Sequence, residues 1–311
     1  MSSPAVGESR VRRQVLLVRA LWRMVRPDQL GLILLVYCVG AAAALSLGSG
    51  TSVATDSDTI LGGLIALVPT TASVHYANEY ADYETDALSE GTQFSGGSGA
   101  LQEYGLPRSL ARTATVVSGV AVLPAAWVAV ESGVRPGALA ILGVILVVGW
   151  EYSLPPLALA WRGLGVATNA FVGAFLLPVY GYAVLAEPTT EILLLVTPFT
   201  LLTASSLLTT QWPDRHADAQ AGKRTLSTRV DPAVLRRLFT SNALSYPILV
   251  GAIHLTVGFP TPVLLAHVAV LPLVAWSMRT CTRQRSPFPA VAAMVTLAVG
   301  SLIAWSWTLF A

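Results

Sequence analysis

Long apolar stretches and short polar ones alternate along this chain. Predominantly apolar runs lie near 29–48, 59–77, 109–131, 137–152, 165–185, 191–211, 235–257, 262–279 and 288–310. Each is close to the roughly 20 residues that a helix needs to cross the hydrocarbon core of a bilayer. The pattern predicts an all-α, multi-pass membrane protein: a bundle of nine transmembrane helices around a central cavity. Pro124, Pro178, Pro198, Pro247 and Pro272 fall inside the runs, where neighbouring helices can take up the carbonyls that proline frees. Residues 1–28 follow another pattern. Arginines alternate with Val15, Leu16, Val18, Leu21 and Trp22, which predicts a polar tip and an amphipathic helix at the membrane surface, ended or kinked at Pro27. The organisation expected is therefore a tail and interfacial helix over 1–28 and one transmembrane domain over 29–311.

The polar connections sort the basic residues. The N-terminal tail holds six arginines. The connections after the second, fourth, sixth and eighth runs hold every other basic residue except Arg135. With nine spans all of these fall on one face, and the positive-inside rule makes that face cytoplasmic, the N-terminus with it. Composition agrees with the class. The 311 residues are 54% hydrophobic and 12% charged, against about 25% charged in ordinary globular domains, and mean hydropathy is +0.63. The net charge of +2 adds little. Cys38 and Cys281 lie in or beside apolar runs, with no disulfide or zinc spacing, and no cleaved signal peptide is legible at the N-terminus. The partner expected is the lipid bilayer, not nucleic acid.

The two longest connections carry the chemistry, both on the basic face. In HYANEYADYETDALSEGTQFSGGSG (75–99), Asn78, Asp82 and Asp86 recur every fourth residue, so a helix points them the same way, about 6 Å apart along its axis. Glu79 and Glu84 fall off that stripe. QWPDRHADAQAGKRT (211–225) places Asp214 and Asp218 four apart, with Lys223 and Arg224 beyond. Carboxylates at a membrane boundary are costly unless neutralised. Two acidic rows that meet would hold divalent cations in oxygen ligands, and those cations would hold phosphates; Mg²⁺ in particular favours carboxylate plus phosphate oxygens and retained water. The metal-ligand candidates are Asn78, Asp82, Asp86, Asp214 and Asp218, and the four aspartates are also the catalytic candidates. Lys223, the only lysine, is a candidate phosphate partner. Tyr152 and Arg162 flank a Pro155-Pro156 turn and either line a pocket mouth or simply close the turn. Gly91–Gly99, with Gln102 and Glu103 after it, is either a linker or a backbone cradle for phosphate. His75, one turn before Asn78, is either structural or catalytic; His216, His254 and His267 read as structural.

A metal–diphosphate site inside an apolar helical bundle suits an isoprenyl diphosphate. The tail would lie among the helices and the head on the metals, with water excluded so that an electron-rich acceptor traps the allylic cation. Asn78-x-x-x-Asp82-x-x-x-Asp86 and Asp214-x-x-x-Asp218, placed after the second and sixth runs behind an Arg26-Pro27 start, resemble the two aspartate-rich motifs of the UbiA superfamily of intramembrane prenyltransferases. FSGGSGALQEYGL (94–106), YSLPPLALAWRGLG (152–165) and DRHADAQAGKRTL (214–226) look most like its menaquinone branch. The resemblance implies Mg²⁺, a polyprenyl diphosphate as donor, an aromatic acceptor such as dihydroxynaphthoate, and release of diphosphate. It implies Mg²⁺–diphosphate binding by Asn78, Asp82, Asp86, Asp214 and Asp218, and phosphate contacts by Lys223 and Arg162, with Tyr152 and Arg224 at the substrate. Three departures from the family pattern are Glu79 in place of a frequent Asp, Gln211 where the second motif often begins with Asn or Asp, and Ala158 and Ala160 where a basic residue is common. Other acceptors within the superfamily remain alternatives. A transporter fits less well, because the acids gather at one face instead of the midplane.

Overall fold

The structure, a computed structural model, describes residues 5–48, 53–89, 92, 94 and 97–310; Gly91, Gln93, Ser95 and Gly96 of the Gly91–Gly99 loop lie outside the described residues. Helix α1 (Ala5–Met24) precedes α2 (Pro27–Leu47). Then come α3 (Val53–Ala81), the short α4 (Tyr83–Leu88) and α5 (Ala100–Glu103), α6 (Ser109–Glu131) and α7 (Pro136–Ser153). The span 165–183 is composite: α8 (Gly165–Ala170), a π-helical stretch (Phe171–Leu176) and α9 (Leu177–Ala183). The chain continues through α10 (Thr190–Thr210), α11 (Arg215–Gln220), α12 (Leu226–Arg229), α13 (Pro232–Thr256), α14 (Thr261–Ala269), α15 (Leu271–Thr280) and α16 (Phe288–Trp307). Among the described residues, nine helical segments are long and apolar enough to cross a membrane. They match the nine expected runs to within a few residues, except that the second continues to Ala81 and the last stops at Trp307. The multi-pass architecture is thus the expected one.

Local irregularities follow from the prolines. Pro178 lacks the N–H that would bond the carbonyl of Ala174, and its ring crowds that carbonyl. The helix widens into the π-helical stretch just before it, and the Ala174 carbonyl accepts from Thr200 Oγ1 at 3.2 Å. Pro272 likewise marks the break at Val270 that divides the eighth span into α14 and α15. Helix α1 does not lie free of the body. Ala20, Met24 and Val25 are buried with Tyr76, Ala100 and Leu101, while Val15, Val18 and Trp22 stay exposed.

Small residues set the tightest crossing. A Cβ added at Gly40 would stand 1.9 Å from the Pro178 carbonyl oxygen, and one at Gly181 would stand 2.1 Å from that of Tyr37. Helices α2 and α9 therefore meet backbone to backbone, as small residues permit between membrane helices. Tyr37 and Tyr180 flank the crossing with ring centroids 5.5 Å apart, and donate to the carbonyls of Ile60 and Gly63, each at 2.8 Å. Gly40→Leu is expected to cost at least the ~3 kcal/mol upper range of core overpacking. The check is the thermal unfolding midpoint in detergent; an unchanged midpoint would show that the crossing relaxes freely.

Candidate active site

The first acidic row is built across a helix end. Helix α3 stops at Ala81 and α4 starts at Tyr83, yet the N–H of Asp82 donates to the Asn78 carbonyl and that of Asp86 to the Asp82 carbonyl, both at 2.8 Å. These bonds carry the helical register through the corner, so the four-residue spacing survives. The second row sits at the start of α11, where the Asp218 N–H donates to the Asp214 carbonyl at 2.9 Å.

The rows meet at one end of the bundle. Asn78, Asp82, Asp86, Asp214, Asp218, Lys223 and Tyr152 all line one cavity of about 670 Å³. Its remaining wall is mostly apolar, including Leu32, Val36, Leu67, Ile145, Leu177, Phe199 and Met294. Lys223 Nζ, from the second motif, lies 2.8 Å from Asp82 Oδ2 of the first. Asn78 Nδ2 donates to the same oxygen at 2.6 Å. Ser89 Oγ donates to Asp214 Oδ1 at 2.7 Å, and Thr225 Oγ1 to Asp218 Oδ2 at 3.3 Å. Lys223 also stands 5.6 Å from the centre of the Trp161 ring.

Burial and neighbouring carboxylates dominate the electrostatics of the two rows. Burial pushes the Asp86 carboxyl up to about 7, helped by the charge of Asp82, while Arg26 and the Gly97 N–H pull the other way. Burial raises Asp218 to about 6, with Asp82 and Asp214 adding to the rise and Lys223 opposing it. For Lys223, burial disfavours its charge, but Asp82 and Asp218 outweigh burial and hold it above the ordinary lysine value.

Two sequence candidates sit elsewhere. Arg162 is not among the residues lining the cavity; it donates to the Pro156 carbonyl at 2.8 Å and accepts from Arg229 through its own carbonyl at 3.0 Å. Arg224 is also off the lining, its backbone N–H bonded to the Trp161 carbonyl at 3.0 Å. Through these bonds both arginines tie the segment after the Pro-Pro turn to the chain that follows the second motif.

The sequence reading missed a cluster centred on Glu79. This residue is 2% exposed. Arg26 donates to its Oε1 from Nε at 3.0 Å and from Nη2 at 2.7 Å. Ser98 adds its N–H to Oε1 at 2.9 Å and its hydroxyl to Oε2 at 2.6 Å. Glu79 thus joins the α1–α2 corner, the end of α3 and the 97–99 segment. Gly97 then donates to Asp86 Oδ1 at 2.9 Å, and a Cβ there would fall 1.7 Å from Asp86 Oδ2. The available signal was an acid one residue after Asn78 but off its stripe, with Arg26 as the cation able to bury with it. Part of the Gly-rich loop therefore does approach the acidic row through its backbone.

The donor set fits a hard divalent cation that is also held by phosphate. Asp82 Oδ1 and Gln211 Oε1 are buried without a hydrogen-bond partner among the described residues, and such oxygens want a cation or a donor. No three His, Cys, Asp or Glu side chains among the described residues group tightly enough to hold an ion unaided, so an ion here would need phosphate or water oxygens to complete its shell.

The fold resembles several solved structures. One is a UbiA homologue from Archaeoglobus fulgidus bound to DMAPP and Mg²⁺ (TM-score 0.67, 15% identity, 92% of this chain and 99% of that one); the homologue is also known with GPP and Mg²⁺ and with Cd²⁺. Another is the apo UbiA homologue from Aeropyrum pernix K1 (TM-score 0.65, 13% identity, 88% and 97%). A third is a digeranylgeranylglyceryl phosphate synthase (TM-score 0.64, 11% identity, 94% and 99%). No curated protein sequence matches the chain significantly. Residues 33–298 match the UbiA prenyltransferase family, and with that match over a nine-helix bundle whose two acidic rows share one apolar cavity, the chain belongs to the UbiA family of intramembrane prenyltransferases.

Proposed function

We propose that this chain transfers a polyprenyl group from its diphosphate to an aromatic acceptor, with dihydroxynaphthoate, and so a menaquinone precursor, as the acceptor favoured by the sequence segments 94–106, 152–165 and 214–226. One observation carries the reading. The Asp82 and Asp214 rows face one polar end of an otherwise apolar cavity, with the Asp82 Oδ1 atom left unpartnered. Asn78, Asp82, Asp86, Asp214 and Asp218 would hold Mg²⁺. When bound, the cation supplies the positive charge that stabilises the departing diphosphate. The chain's own residues do the rest. The acidic rows and Ser89 orient the head group, Lys223 adds a cation at the same place, and the apolar wall keeps water from the allylic centre. The membrane face of this end is assigned cytoplasmic from the basic residues clustered with it.

The test is to incubate the purified protein with Mg²⁺, a labelled polyprenyl diphosphate and a panel of acceptors: dihydroxynaphthoate, hydroxybenzoate and a glyceryl phosphate lipid. Products are identified by mass. Prenylated naphthoquinol is the expected product; turnover of the glyceryl lipid alone would refute the aromatic assignment. Lys223→Met is expected to raise the apparent KM for the prenyl diphosphate about tenfold, in keeping with the loss of a charge-assisted hydrogen bond. Steady-state kinetics with the acceptor saturating reads this directly, and an unaltered KM would reduce Lys223 to the charge partner of Asp82.

A further inference from the structure

Neither the metal site nor the prenyl tail accounts for His75. It lies on α3 one turn before Asn78 and borders the cavity. Its Nδ1 is hydrogen-bonded to the backbone carbonyl of Val25. A carbonyl can only accept, so Nδ1 carries the proton and the tautomer is set. The other ring nitrogen, Nε2, has no hydrogen-bond partner among the described residues, yet it is not a sealed, buried atom. It therefore presents a lone pair to the cavity. Arg26, the residue after Val25, borders the same space. Its Nε and Nη2 are committed to Glu79, which leaves Nη1 as a cationic donor. Arg26 is held there in a left-handed conformation (φ 54°), costly for a non-glycine residue and retained only where the surroundings enforce it.

A hydrogen-bond acceptor beside a cationic donor, at the edge of an acidic head-group site, selects a ligand with a hydroxyl and an anionic group. We propose that His75 Nε2 accepts a hydrogen bond from a ring hydroxyl of the acceptor, with the Arg26 guanidinium facing the acceptor's carboxylate, so that this pair recognises hydroxylated aromatic acids. The inference rests on the aromatic reading above and names the residues that impose it. Accepting that bond draws the hydroxyl proton away from the ring oxygen and leaves the ring more electron-rich, which is what attack on an allylic cation requires.

The discriminating substitution is His75→Asn. Its side-chain N–H can keep the bond to the Val25 carbonyl while Nε2 is lost, so a purely structural role is preserved. His75→Gln is the companion, because its terminal carbonyl reaches the neighbourhood of Nε2. Kinetics use the full chain in detergent with Mg²⁺, varying dihydroxynaphthoate at saturating polyprenyl diphosphate and then the reverse. The KM for dihydroxynaphthoate is expected to rise about tenfold in His75→Asn, the scale of one lost hydrogen bond in a desolvated site. The KM for the polyprenyl diphosphate and the thermal midpoint should stay put, and His75→Gln should recover part of the loss. O-methylation of the acceptor hydroxyl should penalise the wild type by a similar factor and His75→Asn hardly at all. An acceptor KM in His75→Asn within about twofold of wild type would overturn the role of His75 while leaving the aromatic reading intact. Failure of the wild type to prenylate any hydroxylated aromatic acid would overturn that reading itself, and this recognition with it.

Discussion

Asp82→Asn is expected to lower prenyl transfer by about a thousandfold or more while the protein stays folded. The substitution keeps the shape of the side chain, so the donors on Asp82 Oδ2, Asn78 Nδ2 at 2.6 Å and Lys223 Nζ at 2.8 Å, keep an oxygen to bond. What is lost is the negative charge at the centre of the site. The unpartnered Oδ1 becomes a weaker, neutral ligand or an amide donor, either of which disfavours a divalent cation. Asp214→Asn should behave alike from the other row, because Ser89 leaves one of its oxygens free of that bond. The measurements are turnover with saturating Mg²⁺ and the unfolding midpoint of the same preparations. Activity within about tenfold of wild type in a folded Asp82→Asn protein would remove Asp82 from the chemistry.

The second large effect is on stability. Glu79→Ala should cost about 3–5 kcal/mol, the usual penalty for removing one partner of a buried ion pair. Glu79 is 2% exposed, and its loss strands the Arg26 guanidinium and removes both bonds to Ser98. Because Glu79 joins Arg26, α3 and the 97–99 segment at one carboxylate, the Gly97 bond to Asp86 should loosen with it. Thermal unfolding and limited proteolysis near residues 97–99 check the two consequences. A midpoint lowered on the order of 10 °C and faster cleavage are expected; a wild-type midpoint would mean that Arg26 is neutralised by another group. Replacing Glu79 with Asp keeps the charge and should recover much of the loss, since an acid with one fewer methylene still reaches a guanidinium.

Much of this architecture was legible beforehand because the bilayer imposes a simple code. A helix must satisfy its own backbone in lipid, so apolar length alone predicts the spans, and the nine runs coincide with nine helical segments to within a few residues. The spacing of Asn78, Asp82 and Asp86 likewise survived, even though Asp82 sits in the corner between two helices, because the i to i−4 bonds continue through it. Lys223 was legible as the only lysine, beside an acidic pair. Arg162 and Arg224, expected at the substrate, lie off the lining of the cavity, because proximity to a motif in sequence does not decide which groups share a buried space.

By itself the sequence determined the class of the protein, its spans and the spacing of its acids, because hydropathy and four-residue spacing are local properties. Only the tertiary structure decided that Lys223 answers Asp82 across 141 residues of chain, that Glu79 pairs with Arg26, and that His75 borders the cavity with its Nδ1 tied to the Val25 carbonyl. Each of these depends on which distant groups share a buried, low-dielectric space, where one unpaired charge or donor outweighs any local preference.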